Sequence, residues 1–293
     1  MTRPFPRPLL VAGPTASGKS AFALAAARRD GGIVINADSM QVYAELRLLT
    51  ARPGLEDLAL APHRLYGHVP ARDAYSVSRW LDDVRDALEE AGALGARPII
   101  VGGTGLYFLA LLEGLSPVPP VPLEVRERWR RDAAAAGPGE LHARLAERDP
   151  VMAGRLAPGD TQRITRALEV IEATGRSLAA WQEVRGSPLM RAADAERVLV
   201  WPDREVLRHR CHARFDQMMA AGAMTEIAGL AQLGLPRELP VFAALGVRPL
   251  LAALTLDLPV EEAVERAKVQ TVQYVKRQET WLRKHMRDWS RLS

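Results

Sequence analysis

Residues 9–20 read LLVAGPTASGKS, and this stretch decides the fold of the chain around it. Leu9 to Ala12 form a short apolar run that is typical of a buried strand. From Gly13 to Ser20 the pattern is GxxxxGK followed by Ser or Thr, which joins a strand to a helix and lets successive backbone amides converge on phosphate oxygens. The following helix adds partial positive charge at its N-terminus. We therefore predict a loop that binds a diphosphate or a triphosphate.

The positions of this loop have separate expected roles. The Lys19 ammonium group supplies a full positive charge, and the Ser20 hydroxyl can ligate Mg²⁺, which we expect as the cofactor. A glycine-rich turn without a ligand is the alternative interpretation. The expected diphosphate-binding residues are Gly13, Pro14, Thr15, Ala16, Ser17, Gly18, Lys19 and Ser20.

Strand and helix patterns alternate after the phosphate loop. Gly32 to Ala37 and Arg97 to Val101 are further apolar runs of strand length, and Ser76 can cap a helix between them. Alternation of this kind favours an α/β fold. We predict a P-loop NTPase-like parallel sheet core flanked by helices, formed by residues 1–117 and 197–293.

An insertion interrupts this core. Four prolines between Pro117 and Pro122 form a stiff connection, after which strand-like runs disappear. One helix is predicted to begin near Asp160 and to end at Gly175, because apolar residues recur at helical spacing between them. Strand-like residues resume at Arg197, so we predict an all-helical insertion domain over residues 118–196.

The ends of the predicted strands indicate candidate catalytic groups. Ligands gather at the carboxyl ends of parallel strands, where NTPases usually place an acidic residue. The strand that ends at Val101 runs instead into Gly102-Gly103-Thr104-Gly105, so Asp38, after the second strand, is the remaining candidate carboxylate. The alternatives are a turn or helix N-cap role for Asp38 and a tight turn without ligand for residues 102–105.

Composition narrows the class of protein. The chain has 293 residues, a net charge of +4 and a pI of about 9.5. Its single cysteine, Cys211, excludes an intrachain disulfide and a zinc site of several thiolates. The longest uncharged stretch, Pro98 to Leu112, is too short for a membrane span, and the run Leu9 to Ala12 is too short for a secretory signal. We expect a cytoplasmic monomer that has no membrane partner.

Residues 266–293 are strongly basic, with eight basic and two acidic side chains. Projected as a helix, the basic residues gather opposite Tyr274 and Trp281. A solvated charged face is the ordinary interpretation of such a helix alone, and contact with RNA phosphates is the alternative. The predicted basic face comprises Arg266, Lys276, Arg277, Arg283, Lys284 and Arg287.

Six segments follow one another in a fixed order along nearly the whole chain. They are GPTASGKS (13–20), DSMQVY (38–43), YSV (75–77), VGGTGLY (101–107), RITRALEV (163–170) and KRQETW (276–281). In this order they resemble the tRNA dimethylallyltransferase family of bacterial type. The resemblance implies transfer of a dimethylallyl group from dimethylallyl diphosphate to the N6 amine of the adenosine 3′ to the anticodon. It also implies the tRNA anticodon stem-loop as partner, with N6-isopentenyladenosine and diphosphate as products.

The resemblance also assigns roles to single residues. The implied catalytic residues are Lys19, Asp38 and Thr104, with Asp38 accepting a proton from the attacking amine. With this context, RNA contact becomes the favoured interpretation of the basic C-terminal face. Arg166 contacts either RNA or the diphosphate. The implied tRNA-binding residues are Asp38, Ser39, Met40, Gln41, Thr104, Arg126, Gln162, Arg163, Ile164, Thr165, Arg166, Lys276 and Arg277.

Several positions depart from the family pattern and leave individual contacts open: Leu49, Arg52, His63, Val247 and Val272. Two other functions remain as alternatives. A nucleotide or small-molecule kinase would use the same loop for ATP, but the basic C-terminal residues and the absent strand-end carboxylate argue against it. A non-catalytic RNA-binding module would leave the complete phosphate loop without a purpose.

Overall fold

The structure, a computed structural model, describes residues 6–292 and divides them into two compact units. The sheet unit comprises the chain up to Leu112 together with the chain from Leu189 onward, and the helical unit comprises Glu113–Pro188. This division falls a few residues before the predicted 118–196 at both ends. The chain rejoins the sheet unit at Leu189 because the backbone N–H groups of Leu189 and Met190 both donate to the Leu111 carbonyl, at 3.1 Å each.

Strands and helices alternate through most of the sheet unit. Its elements are β1 (Leu9–Ala12), α1 (Lys19–Asp30), β2 (Gly32–Asn36), α2 (Leu55–Leu60), β3 (His63–Arg64), α3 (Val77–Leu94), β4 (Arg97–Gly102), α4 (Gly105–Glu113), β5 (Glu196–Val200), α10 (Arg204–Ala220), α11 (Ala223–Gln232), α12 (Val247–Leu254), α13 (Val260–His285) and β6 (Ser290–Leu292). The helical unit contains α5 (Leu123–Ala135), α6 (Pro138–Arg148), α7 (Pro150–Ala153), α8 (Thr161–Thr174) and α9 (Leu178–Gln182).

The strands form one parallel sheet in the order β3-β2-β4-β1-β5-β6. Strand β1 lies between β4 and β5, with Val11 opposite Val101 on one side and Val198 on the other. Apolar side chains on both faces of β1, β2 and β4 belong to buried clusters, as their uninterrupted apolar runs predict. The predicted α/β fold with a parallel sheet flanked by helices is confirmed. Because the strands are parallel, the loops that follow β1, β2 and β4 emerge at one edge.

The edge strands β3 and β6 escape prediction from the sequence. They have two and three residues, and neither contains an apolar run. An edge strand is held by backbone pairing with one neighbour, so it needs no continuous apolar signal.

Helix α3 shows how packing positions the end of β2. Its N-cap is Ser76, as predicted, whose hydroxyl accepts a backbone N–H of the first turn at 3.2 Å. One turn later the buried Trp80 indole N–H donates to the Asn36 carbonyl at 2.8 Å. The Trp80 ring also stacks on Tyr107, with ring centroids 4.4 Å apart. These contacts fix the point from which the Asp38 turn leaves the sheet.

Helix α13 is amphipathic, but its buried side differs from the predicted one. Tyr274 and Trp281, which lie opposite the predicted basic face, are only half-buried. The helix ends at His285, so Arg287 follows the helix and does not lie on its basic face. Three members of the buried stripe are polar, and a projection based on apolar residues misses them. The stripe comprises Ala263, Ala267, Thr271, Val275, Gln278, Glu279 and Leu282.

The helical unit has an apolar core of its own, which includes Trp129, Leu145 and Ile164. Within it, α8 begins directly after Asp160 and ends at Gly175, which adopts the left-handed conformation, as the sequence predicts. In residues 6–292, no helix combines the length and the apolar character that crossing a membrane requires.

Candidate active site

The phosphate loop connects β1 to α1, which confirms the strand–loop–helix context. A Cβ on Gly13 would lie 2.6 Å from the Val200 carbonyl oxygen and 2.7 Å from the Ser17 hydroxyl, so only glycine fits there. The Ser17 backbone N–H donates to the Pro14 carbonyl at 3.2 Å and closes the turn. Since α1 begins at Lys19, the loop leads directly into a helix N-terminus, the arrangement that binds phosphate.

Lys19 is the cation of this loop. Its ammonium group donates to the Pro14 carbonyl at 3.1 Å. Burial lowers the pKa of Lys19 to about 8, the Asp38 carboxylate opposes this shift, and the Arg214 guanidinium adds to it. A bound anion would favour the charged ammonium, so Lys19 is poised to gain from a phosphate ligand.

Helix α10 adds two arginines that the sequence analysis did not identify. Burial lowers the pKa of Arg214, and Cys211 and Asp38 oppose that shift. The Arg210 guanidinium lies 3.9 Å from the place that a Gly18 Cβ would take. Their spacing of four residues puts both arginines on one helix face beside the buried Cys211. That spacing was the available signal, but only the fold shows that the face meets the phosphate loop.

Asp38 follows β2 in a turn that the buried Asn36 organises. The Asn36 side-chain oxygen accepts the Asp38 N–H, and its amide group donates to the Asp38 carbonyl, both at 2.9 Å. One Asp38 carboxylate oxygen, Oδ1, accepts the Met40 N–H at 2.9 Å. The turn interpretation is therefore correct for this oxygen. The second oxygen, Oδ2, lies 3.7 Å from where a Gly103 Cβ would be, next to the loop after β4.

Thr104 joins the loop after β4 to the Asp38 turn. Its hydroxyl accepts the Ser39 N–H at 3.0 Å and donates to the Ser39 hydroxyl at 3.3 Å. Its backbone N–H donates to the Ala37 carbonyl at 3.3 Å. The structure thus brings together two of the segments that the sequence analysis singled out, 38–43 and 101–107.

The charge of Asp38 reaches many groups of the site. Burial raises the pKa of the phenols of Tyr66, Tyr107 and Tyr274, and the Asp38 carboxylate raises it further. The same carboxylate acts on Lys19. Asp38 therefore lies within electrostatic range of both Lys19 and these three tyrosines.

The side-chain amide group of Gln41 is hydrogen-bonded within its own loop. Its side-chain amide donates to the carbonyls of Thr50 and Ala51, at 2.7 and 3.1 Å. The preceding residues of that loop are anchored by Glu226 of α11, whose carboxylate accepts the backbone N–H groups of Arg47, Leu48 and Leu49 at 2.5 to 2.9 Å. Because its amide nitrogen already donates within the loop, a nucleobase that contacts the Gln41 side chain would meet the amide oxygen.

The basic residues of α13 point to solvent. Lys276 and Arg277 are exposed, and the Arg277 guanidinium lies 5.6 Å from the centre of the Tyr274 ring. Arg266, by contrast, pairs with Glu262 at 2.5 Å. Over residues 6–292, the salt bridges do not include these four exposed cations of the helix: Lys276, Arg277, Arg283 and Lys284.

The expected tRNA contacts of the helical unit include both accessible and buried side chains. Gln162 and Arg163 are exposed on α8, and Arg166 is half-buried and pairs with the buried Glu169 at 3.1 Å. Ile164, fully buried, packs into the core of the unit, and the buried Thr165 hydroxyl donates to its own helix, at the Thr161 carbonyl. These two side chains cannot touch RNA in this conformation. In Arg126 of α5, the guanidinium Nε is buried without a hydrogen-bond partner.

The residues that depart from the family pattern are mostly packed. Leu49 and Val247 are buried in the same apolar cluster, and Val272 packs beside Cys211. The His63 ring lies edge-on to Tyr66, with centroids 5.6 Å apart. The side chain of Arg52, the fifth departure, donates to the Ala44 carbonyl at 3.2 Å.

A cavity of about 390 Å³ adjoins the phosphate loop at Ser20. Its lining combines apolar side chains such as Leu24 and Val101 with the polar side chains of Arg52, Asp57 and Tyr66. Among residues 6–292 there is no group of three or more His, Cys, Asp or Glu side chains that could hold a metal ion alone.

Two family models and several curated proteins match this chain. A family model described as IPP transferase matches residues 41–285, and one described as isopentenyl transferase matches residues 7–68. The tRNA dimethylallyltransferase of Chelativorans sp. (strain BNC1) is 52% identical over 285 residues, which are 97% of each chain. That of Parvibaculum lavamentivorans is 48% identical over 293 residues, covering 100% of this chain and 93% of the relative.

Solved structures show the same fold. The full-length tRNA isopentenylpyrophosphate transferase of Bacillus halodurans aligns with a TM-score of 0.69 and 29% identity, over 98% of this chain and 89% of that one. A eukaryotic dimethylallyltransferase acting on tRNA aligns with a TM-score of 0.79 and 28% identity, over 94% of this chain and 70% of that one. Since both family models and full-length relatives agree, the chain belongs to the tRNA dimethylallyltransferase family.

Proposed function

We propose that this protein transfers a dimethylallyl group from dimethylallyl diphosphate to the N6 amine of the adenosine 3′ to the anticodon in tRNA. The observation that carries the proposal is the junction of the phosphate loop with the Asp38 turn at one edge of the sheet. In the reaction the amine nitrogen attacks the first allylic carbon, and the bond from that carbon to the diphosphate oxygen breaks. The nitrogen loses a proton, so the products are N6-isopentenyladenosine and diphosphate.

The leaving diphosphate gains negative charge, and this chain offers cations to stabilise it. The Arg214 guanidinium lowers the pKa of Lys19, and the Asp38 carboxylate raises the pKa of both cations, so the two lie near one another and near Asp38. The phosphate-loop amides and the N-terminus of α1 supply partial charges that need no reorganisation. We assign diphosphate binding to residues 13–20, with Arg214 as an additional contact.

Asp38 is suited to accept the proton from the amine. Its Oδ1 holds the turn through the Met40 N–H, which fixes the carboxylate, while Oδ2 stays near the loop after β4. A carboxylate within reach of the reacting amine contributes general base catalysis. Thr104 holds the adjoining backbone through Ser39.

The donor chain has a place beside the phosphate loop. The cavity of about 390 Å³ touches Ser20 and is lined in part by the apolar side chains of Leu24 and Val101. Apolar lining of this kind suits a five-carbon hydrocarbon, and Ser20 at the cavity connects it to the phosphate loop. We propose this cavity as the donor pocket.

Mg²⁺ fits the residues of the phosphate loop as a cofactor. The ion keeps waters and binds substrate phosphates rather than a cage of protein ligands, which agrees with the absence of a three-residue ligand group in the described chain. The Ser20 hydroxyl would supply its protein ligand. When bound, the ion would add positive charge beside the leaving diphosphate.

Two surfaces are proposed to bind tRNA. On α13 the exposed cations suit phosphates, which carry no base information. In the helical unit Gln162, Arg163, Arg166 and Arg126 are the proposed contacts. An anticodon-loop adenosine is unpaired, so it can leave its stack at low cost and expose its amine. Arg166, half-buried and paired with Glu169 at 3.1 Å, is proposed to contact either RNA or the diphosphate.

The test is incubation of the protein with transcribed tRNA and either dimethylallyl diphosphate or ATP. Nucleoside analysis should reveal one adenosine that has gained a dimethylallyl group, and a transcript with guanosine at that position should gain none. Turnover of ATP without RNA alkylation would favour a kinase instead. We further propose a cytoplasmic monomer, which cell fractionation and light scattering would test.

A further inference from the structure

Gln278 is a buried polar side chain on α13 that contacts two loops of the candidate site. Its side-chain oxygen Oε1 accepts the Thr15 backbone N–H of the phosphate loop at 2.9 Å. Its Nε2 donates to the Gly103 carbonyl, in the loop after β4, also at 2.9 Å. The residue is only 6% exposed. One amide group therefore joins two segments that lie far apart in the sequence.

The fit around this amide is close. A Cβ on Gly103 would lie 2.4 Å from Gln278 Nε2, so any side chain there would displace the amide. Burial of an amide is unfavourable unless its groups are hydrogen-bonded, and here each end has a partner. An apolar residue would fill the stripe of α13 without that requirement. The amide is thus suited to hold the two loops together.

The hydrogen bonds continue from the loop after β4 to the turn of Asp38, the proposed proton acceptor. Gly103 is followed by Thr104, whose hydroxyl accepts the Ser39 N–H and whose backbone N–H donates to the Ala37 carbonyl. Both partners flank Asp38. A chain of hydrogen bonds therefore runs from the phosphate loop, through Gln278 and the loop after β4, to the Asp38 turn.

We propose that Gln278 is a positioning residue that sets the distance between the diphosphate-binding loop and the Asp38 turn. The inference rests on the proposed transfer reaction. The Thr15 N–H is occupied by Gln278, so the amide acts on the position of the loop and not by contact with phosphate. Attack requires the nitrogen, the allylic carbon and the leaving oxygen to align, and a displacement of about 1 Å can lower the rate about a hundredfold.

The first test is Gln278→Met, which keeps the length of the side chain and removes both hydrogen bonds. With both substrates saturating, the single-turnover rate should fall by about 10- to 100-fold. The affinities for inorganic diphosphate and for tRNA, measured separately, should each stay within about threefold of the parent. The control is Thr271→Val, on the same buried stripe, which removes a hydroxyl that donates to the Ala267 carbonyl of its own helix. Its rate should stay within about threefold of the parent.

The second test disturbs the same contact from the other side. Gly103→Ala places a methyl group against Gln278 Nε2 and should slow transfer without weakening diphosphate binding. The double variant should be slower than the slower single variant by no more than about threefold, because both changes break the contact between Gln278 and the loop after β4. Multiplied effects would refute the proposal.

Three further outcomes would also overturn it. A normal rate for folded Gln278→Met would make the residue a core residue only, and a fall in diphosphate affinity equal to the fall in rate would assign it to the donor site. If neither variant folds, the contact is a folding requirement and the positioning role falls. A parent protein without transferase activity would instead refute the proposed function.

Discussion

Replacement of Asp38 by Asn separates the two roles of this residue. The side-chain oxygen of an Asn can still accept the Met40 N–H that Oδ1 accepts at 2.9 Å, and the bonds from Asn36 involve only the backbone of residue 38. The turn should therefore survive. The second oxygen becomes an NH₂ group, which cannot accept a proton. Loss of general base catalysis predicts a chemical step slower by about 10² to 10⁴.

The variant should also change the pH dependence. The Asp38 carboxylate raises the pKa of Lys19, which burial has lowered to about 8. Without that carboxylate the pKa of Lys19 falls further, so the ammonium loses its proton at lower pH. The alkaline decline of diphosphate binding should therefore begin at lower pH in Asp38→Asn than in the parent.

The assay is single-turnover transfer with saturating dimethylallyl diphosphate and tRNA, followed by nucleoside analysis. Circular dichroism and filter binding check the fold and the tRNA affinity. The control is Asp83→Asn, the same chemical change at a carboxylate that accepts the Tyr75 hydroxyl at 2.6 Å. Its rate should stay within about threefold of the parent. A folded Asp38→Asn protein whose rate is also within about threefold would refute the role of Asp38 as base and leave the turn role alone.

Four other predictions follow from the same structure. Lys19→Ala should lower turnover by about two orders of magnitude or more with little change in tRNA affinity, because the lost charge acts mainly as diphosphate departs; weak tRNA binding with normal chemistry would contradict this. Because the pKa of Lys19 is about 8 and anions favour its charged form, the ratio of diphosphate affinity in the parent to that in Lys19→Gln should be constant below about pH 8 and fall by up to about tenfold per pH unit above it. Lys19→Gln reports the ionisation of the ligand alone, and calorimetry that finds equal pH dependence in both proteins would disprove the assignment. Neutralising Lys276, Arg283 and Lys284 together should flatten the slope of log tRNA affinity against log salt by about two to three units. An unchanged slope would mean a merely solvated surface. Ile164→Ala should lower the free energy of unfolding by about 2–5 kcal/mol in denaturant titrations, and a normal unfolding curve would show that Ile164 is not a core residue.

Local chemistry made much of this protein predictable. The apolar runs at β1, β2 and β4 are buried on both faces, so they needed no alternation to be found. Ser76 and Gly175 mark helix ends through bonds within a few residues of themselves. The phosphate loop is also local, because its backbone bonds and its helix N-terminus belong to one continuous stretch.

Other features depend on segments that the sequence keeps far apart. Gln278 and Thr15 are separated by 263 residues, and nothing near either of them reveals their bond. The arginines of α10 reach the phosphate loop only because α10 packs beside it. Ile164, counted among the RNA contacts, is fully buried, because exposure depends on how the helices of its unit pack.

The sequence by itself therefore determined the α/β class, the phosphate loop with Lys19 and Ser20, and the choice of Asp38 as the candidate carboxylate. These are properties of residue type and short-range spacing. Only the tertiary structure decided that Oδ1 of Asp38 serves the turn while Oδ2 lies near the loop after β4, and that Gln278 holds that loop against the phosphate loop. The physical reason is that parallel strands bring their carboxyl ends to one edge, so neighbours in the site are distant in the chain.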